Sequence, residues 1–269
     1  MRLPVYRSRF LLITIVMSAT SCQKTTTAPS VPAPAAFTVV NAVPNTVNNV
    51  VPVINTSQAV MWFNNTLQIP YGAFYEYSPF GGNDTVFVVQ ANSSDTLAVG
   101  AKAPGQIFYG ILPLTPGNIY SLFLCGADTT SPDYLFTTDT LPYHDPGDSV
   151  MGIRFVNLSA GSGPVSVNLE GSPNGSEVTS LAYKGITGFK SYTNNSSTVD
   201  YMFVIRDVAT GDSLTQFDFL NSGSYNGGFG LIDPYYGNSL TFKNVTVAFT
   251  GQPGVTATVP QSTMLIDNY

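Results

Sequence analysis

Charge, histidine, tryptophan and cysteine are all scarce in this chain of 269 residues. Charged residues make up 10%, and there are one histidine, one tryptophan and two cysteines. Only Glu76, Glu170 and Glu177 are glutamates, so the facing pair of carboxylates that glycoside hydrolysis wants has little to be built from. Most aspartates stand beside Gly, Ser, Thr or Pro, where Asx-turns need them. The sequence holds no Gly-x-Ser-x-Gly elbow, no P-loop, no dinucleotide fingerprint and no metal-spaced cluster. His144, in Tyr143-His144-Asp145-Pro146-Gly147, has no second histidine and no free cysteine nearby, and reads as a turn residue rather than a ligand. The expectation is a protein that is not an enzyme, with no catalytic residue, no metal and no cofactor. Capped helical periodicity is missing too, which excludes a helical bundle.

Long apolar runs are also absent. The longest, Phe10 to Met17, follows Arg2, Arg7 and Arg9 and ends in the small residues Ala19-Thr20-Ser21 before Cys22. A membrane span needs about 20 apolar residues, so this stretch reads as an export signal over residues 1–21. The small-residue triplet before Cys22 resembles the lipobox of bacterial lipoproteins, although Ala19 stands where such boxes usually carry Leu. The resemblance implies a mature chain beginning at Cys22, acylated there, anchored to the outer membrane by its lipid and facing either the periplasm or the cell surface. Residues 23–36, QKTTTAPSVPAPAA, read as an extended tether.

Without residues 1–21, seven basic residues face sixteen acidic ones, a net charge of −9. That sign repels phosphate backbones, so no nucleic-acid partner is expected. With Cys22 spent on lipid, Cys125 has no partner for an intramolecular disulfide, and packed sheets must supply the stability. Cys125 lies in the strand-like run Tyr120-Ser121-Leu122-Phe123-Leu124-Cys125 with no basic neighbour, and reads as a buried, inert thiol.

What is abundant is Tyr, Phe, Asn, Ser, Thr, Gly and Val, the mixture of half-buried strands joined by polar turns. From Phe37 onward short apolar runs recur every 8 to 12 residues or so, the spacing of a sandwich. Candidate strands of the first set are Phe37 to Val43, Val50 to Ile54, Ala59 to Phe63, Thr85 to Ala91, Thr96 to Val99, Ile107 to Leu112, Ile119 to Leu124 and Tyr134 to Thr138. After a hinge-like stretch at Pro142 to Gly147 come Met151 to Leu158, Val165 to Glu170, Val178 to Tyr183, Val199 to Asp207, Leu214 to Leu220, Leu240 to Thr250 and Thr263 to Ile266.

The two sets share an order of features. Phe37-Thr38-Val39-Val40-Asn41 answers Ile153-Arg154-Phe155-Val156-Asn157, and Tyr71-Gly72 with Tyr75 answers Tyr183-Lys184-Gly185 with Tyr192. Val86 to Gln90 answers Met202 to Arg206, Leu122 to Gly126 answers Val247 to Gly251, and Tyr134 to Asp139 answers Thr263 to Asp267. This is a tandem repeat of about 110 residues. The phrase Ile153-Arg154-Phe155-Val156-Asn157-Leu158-Ser159, followed by Val165-Ser166-Val167-Asn168-Leu169-Glu170-Gly171, resembles the opening of the bacterial domain-of-unknown-function family numbered 4397, found in envelope lipoproteins. The resemblance covers nearly all of residues 37–269 and implies immunoglobulin-like sandwiches without catalytic residues. The expected fold is all-β, with two tandem immunoglobulin-like β-sandwich domains at 37–145 and 150–269 after the signal peptide and flexible linker.

Two kinds of candidate site remain. Trp62, Tyr235 and Tyr236 stand beside Asn, Asp, Pro or Gly, material for stacking sugars and bonding their hydroxyls. Asp followed by a hydroxyl residue and then an apolar residue or Thr recurs at Thr85, Thr96, Thr129, Thr140, Ser149 and Ser213, which is similar to the O-glycosylation signal of Bacteroidota-type envelope proteins. Turns ending in Asp that feed strands beginning with Thr give the same triplets without sugar. The expected function is non-enzymatic: an envelope lipoprotein presenting two domains for binding or structural interaction. Its partners are the membrane, through the lipid, and a glycan or other envelope proteins. The alternative is a glycan-capture lipoprotein of a nutrient-uptake system.

Overall fold

The computed structural model describes residues 34–45, 49–55, 68–79, 82–90, 105–145, 149–193, 201–219, 243–254 and 257–268. Among them the chain is all-β, as expected. The first seven strands are β1 (Ala36–Asn41), β2 (Val50–Ile54), β3 (Ala73–Tyr77), β4 (Gly82–Gln90), β5 (Gln106–Leu114), β6 (Ile119–Gly126) and β7 (Pro132–Asp139). They are followed by β8 (Val150–Asn157), β9 (Val165–Leu169), β10 (Val178–Leu181), β11 (Lys190–Thr193), β12 (Met202–Asp207), β13 (Ser213–Asp218), β14 (Asn244–Thr250) and β15 (Ser262–Asn268). The expected strands Ala59 to Phe63 and Thr96 to Val99 lie outside the described residues, as do the signal segment and Cys22.

Four sheets form, with orders β2-β4-β5, β3-β1-β6-β7, β11-β8-β14-β15 and β10-β9-β12-β13. The two inner sheets have the same plan. In each, the first strand of its half lies between an antiparallel edge strand and a parallel inner strand, which in turn pairs with the last strand of that half. The outer sheets are built alike as well, each on a β4–β5 or β12–β13 hairpin.

Strand alternation sends side chains to opposite faces, and it separates three layers of core. Phe37, Val39, Leu122 and Leu124 pack with Val86, Val88 and Phe108 between the outer and inner sheets of the first half. Ile153, Phe155, Val245 and Val247 pack with Val165, Phe203 and Ile205 in the second. The other faces of the inner sheets meet each other through Val40, Phe123, Cys125, Val156, Leu158, Ala248 and Ile266. The described residues therefore form a stack of four sheets, and the two inner sheets are covered on both sides. That explains why β6, β8 and β14 are buried along nearly their whole length. Each fully buried Phe in such a layer contributes roughly 1.5–3 kcal/mol by area.

One buried asparagine closes the first strand of each half. Asn41 donates to the Ile69 carbonyl at 3.0 Å and accepts from Val43 N–H at 3.2 Å. Asn157 donates to the Leu181 carbonyl and accepts from Ser159 N–H, both at 3.1 Å. The carbonyls of the same asparagines accept from Gly72 and Lys184, at 2.9 and 2.7 Å, and so hold the Tyr71-Gly72 and Tyr183-Lys184 turns. The β3 and β11 edge strands follow those turns.

Three expectations change. The strands β3 and β11 were absent from the sequence reading, because each is a short edge strand whose stability comes from pairing with β1 or β8. Tyr75 and Tyr192 are not equivalent: Tyr75 lies opposite Val39, whereas Tyr192 lies opposite Met151, four positions earlier on the matching strand. The stretch at Pro142 to Gly147 is tied down at its start. His144 is buried, with its Nε2 2.9 Å from Asn244 Oδ1, and Asn244 Nδ2 donates to the Pro142 carbonyl at 3.0 Å. His144 is thus a packed side chain holding the linker against β14.

Candidate binding surface

The outward faces of the two outer sheets differ in chemistry. In the second half, Ser166, Asn168, Arg206 and Gln216 share the face opposite the core, with Val204 among them. In the first half the corresponding face carries Val51, Val53, Thr85, Phe87, Val89, Tyr109 and Ile111. Cross-strand pairing sets Thr85 beside Ile111 and Phe87 beside Tyr109, and the last two rings lie 5.0 Å apart. Val51, Phe87 and Val89 are buried, while Tyr109 is 51% and Ile111 64% exposed. A sheet face of this kind belongs against something apolar, whereas a solvated one alternates to polar residues.

The strand β5 is apolar on both faces for a local reason. Phe108, Leu112 and Leu114 turn inward and Tyr109 and Ile111 turn outward. Gly110 leaves room for the Phe108 ring, since a Cβ there would come within 2.8 Å of its Cζ. The Phe108 ring then packs edge-to-face with Tyr134 of β7, the ring centres 4.8 Å apart, and Tyr134 is itself 48% exposed. Sequence reasoning found β5 but not this surface. The signal was the run Ile107-Phe108-Tyr109-Gly110-Ile111-Leu112, which has no polar alternate positions.

The residues expected to form sites are dispersed. Cys22, Trp62, Thr96, Tyr235 and Tyr236 lie outside the described residues. Thr85 is half-buried on β4, next to Ile111. Thr129 is half-buried in the turn after β6, Ser149 is half-buried with φ 47°, and Thr140 and Ser213 are exposed at strand ends. The structure does not bring these hydroxyls together. Among aromatics of the Tyr71 to Phe80 stretch, Tyr75 and Tyr77 pack on the first core and Phe74 on the central layer.

Several of the described carboxylates hold turns and strands in place. Asp128 accepts from the Thr130 hydroxyl and from Thr130 and Ser131 N–H in an Asx-turn, which together hold its carboxyl below the usual range. Three aspartates among the described residues depart from the turn reading: Asp84, Asp139 and Asp267 are buried within β4, β7 and β15. Asp139 takes two bonds from Arg154, at 2.7 and 3.0 Å, and one each from Ser121 and Thr137, at 2.6 and 2.9 Å. Both side chains of this ion pair are almost wholly buried in the central layer. Arg154 also lies over the Phe189 ring, 4.7 Å from its centre.

Cys125 is buried in the same layer and accepts from Tyr183 Oη at 3.2 Å. Burial pushes its thiol up to about 11, so it is protonated at neutral pH. Among the described residues no group of three or more His, Cys, Asp or Glu could hold a metal ion.

No family model matches the chain, and no curated protein matches it. Among solved structures, the chain is similar to one described as "a putative adhesin from Bacteroides ovatus", at 12% identity and a TM-score of 0.24, over 88% of this chain and 95% of that one.

Proposed function

We propose that this chain is a non-enzymatic envelope protein, anchored to the outer membrane through lipid on Cys22, that presents its stacked sheets for binding or structural interaction. The kinship with the envelope-lipoprotein family 4397 is part of the same reading. The observation that carries the binding role is the outward side of β5, where Tyr109 and Ile111 stand exposed, while the equivalent face of the second half sets Ser166, Asn168, Arg206 and Gln216 around Met202 and Val204. The packing behind it supports the role: Phe87 backs Tyr109, and the doubly covered inner sheets make a stiff platform that loses little freedom on binding.

The test is the double variant Tyr109→Ser with Ile111→Ser in a chain spanning residues 23–269. Adhesion to envelope preparations and a glycan array are read beside a melting curve. Adhesion lost at unchanged melting temperature supports the role, and adhesion kept refutes the assignment to β5. The exposed rings of Tyr109 and Tyr134 also suit the second reading, glycan capture for nutrient uptake, and array binding that disappears with the same double variant selects it. The anchor has its own test: Cys22→Ser should move the native protein from the detergent phase to the aqueous one. Thr140 and Ser213, being exposed, are the hydroxyls best placed for O-glycosylation, and intact mass of the native protein decides that proposal.

A further inference from the structure

The layer between the halves carries a symmetry that neither half needs for itself. The twin asparagines align the halves, so Thr38 corresponds to Arg154, Val40 to Val156 and Ala42 to Leu158. Carried through the ladders, Phe74 matches Ile186, Phe123 matches Ala248, Cys125 matches Thr250, Leu135 matches Met264 and Asp139 matches Asn268. Five of these pairs of counterparts, Val40/Val156, Ala42/Leu158, Phe74/Ile186, Phe123/Ala248 and Leu135/Met264, have both members in the central layer. The polar contacts are reciprocal as well. Tyr71 donates to Thr250 Oγ1 at 3.1 Å, and its counterpart Tyr183 donates to Cys125 Sγ at 3.2 Å. Gln252 donates to the carbonyl of Ala127, its own counterpart, at 2.8 Å. Contacts in which one position meets another and the second meets the first are what a two-fold axis produces.

We infer that the central layer is a self-association face fused into one chain: each half presents the same face, and the partner that fits it is another copy of the same module. Two changes make the pairing directional. Phe123 has the small counterpart Ala248, and Leu158 has the small counterpart Ala42, so the layer is filled by one large and one small residue of each pair. The buried charges are divided too, Asp139 in the first half and Arg154 in the second, where the counterparts are the uncharged Asn268 and Thr38. Two first halves would bury two Asp139 carboxylates without a cation, and two second halves two guanidiniums without an anion. Two of the five buried side-chain atoms without a hydrogen-bond partner among the described residues, Thr38 Oγ1 and Asn268 Nδ2, belong to the uncharged counterparts of that ion pair.

The experiment cuts the full chain. A protease recognition sequence is placed between Asp145 and Ser149, and the cleaved protein is followed by size exclusion and native mass spectrometry. The expected result is a one-to-one complex of the two fragments at micromolar concentration. Arg154→Thr alone, which strands Asp139, should weaken it by roughly a hundredfold or more. Arg154→Thr combined with Asp139→Asn gives both halves the same Thr and Asn set. It should restore the first-with-second complex, which the unequal sizes at Phe123/Ala248 and Ala42/Leu158 still favour, and also yield first-with-first and second-with-second pairs as minor species. Wild-type fragments that separate or precipitate on cleavage overturn the inference, and so does a double variant that forms no like-with-like pairs.

Discussion

Replacing Asn157 by Ala tests the argument that a single buried amide closes each half. The side chain satisfies the Leu181 carbonyl and the Ser159 N–H, two groups in buried surroundings. Alanine supplies neither bond, and each orphaned buried group costs about 1–3 kcal/mol, so the variant should lose roughly 2–6 kcal/mol. That is a large part of the 5–15 kcal/mol or so by which a domain is stable. Asn41→Ala removes the equivalent two bonds, but the Ile69 carbonyl keeps the Val50 N–H at 2.9 Å, so it should cost less, roughly 1–3 kcal/mol. Urea unfolding followed by far-ultraviolet circular dichroism measures both, with the exposed Asn83→Ala as a control expected within about 0.5 kcal/mol of the parent. Because the central layer joins the halves, each variant should shift one common transition with an unchanged slope. A loss below about 1 kcal/mol at either position would refute the reasoning about orphaned groups. Two separable transitions would refute the coupling.

Gly126 and Gly251 end the equivalent strands β6 and β14 at φ 121° and 89°, and a Cβ on either would come within 3.0 Å of the Ser131 or Pro260 carbonyl oxygen. Alanine at either should sharply reduce the yield of folded protein, whereas Gly72→Ala, with open space around it at φ 78°, should cost only about 1–2 kcal/mol of backbone strain. Gly152→Ala would push a methyl group into Asn244 Oδ1 and His144 Nε2, freeing the linker, and faster proteolysis there than in the parent is the expected readout. Cys125 should resist thiol reagents at pH 8 and react at once in denaturant. Its thiol is raised from the ordinary 9.0 to about 11 by burial, so the stability it contributes is complete below 9.0 and lost as pH rises through 11. Ready labelling of the folded protein would contradict its burial.

The sequence by itself determined the all-β class, most of the strands and the matched order of features in the two halves. β-branched and aromatic runs punctuated by Gly, Asn and Pro can bury apolar surface only as sheets, and alternation assigns Phe37, Val39, Phe155 and Val247 to a core without further help. It also placed the matched positions Leu122 to Gly126 and Val247 to Gly251, whose twin glycines the structure explains. Short edge strands such as Lys190-Ser191-Tyr192-Thr193 carried too little pattern of their own, since their hydrogen bonds come from β8. Tertiary structure alone decided what covers the second face of each inner sheet. In a lone sandwich that face is wet, and Arg154 on β8 and Asp139 on β7 would read as ordinary solvated charges. Stacking the two halves removes the water from both, and only then do a charge in one repeat and its opposite in the other become a single buried pair.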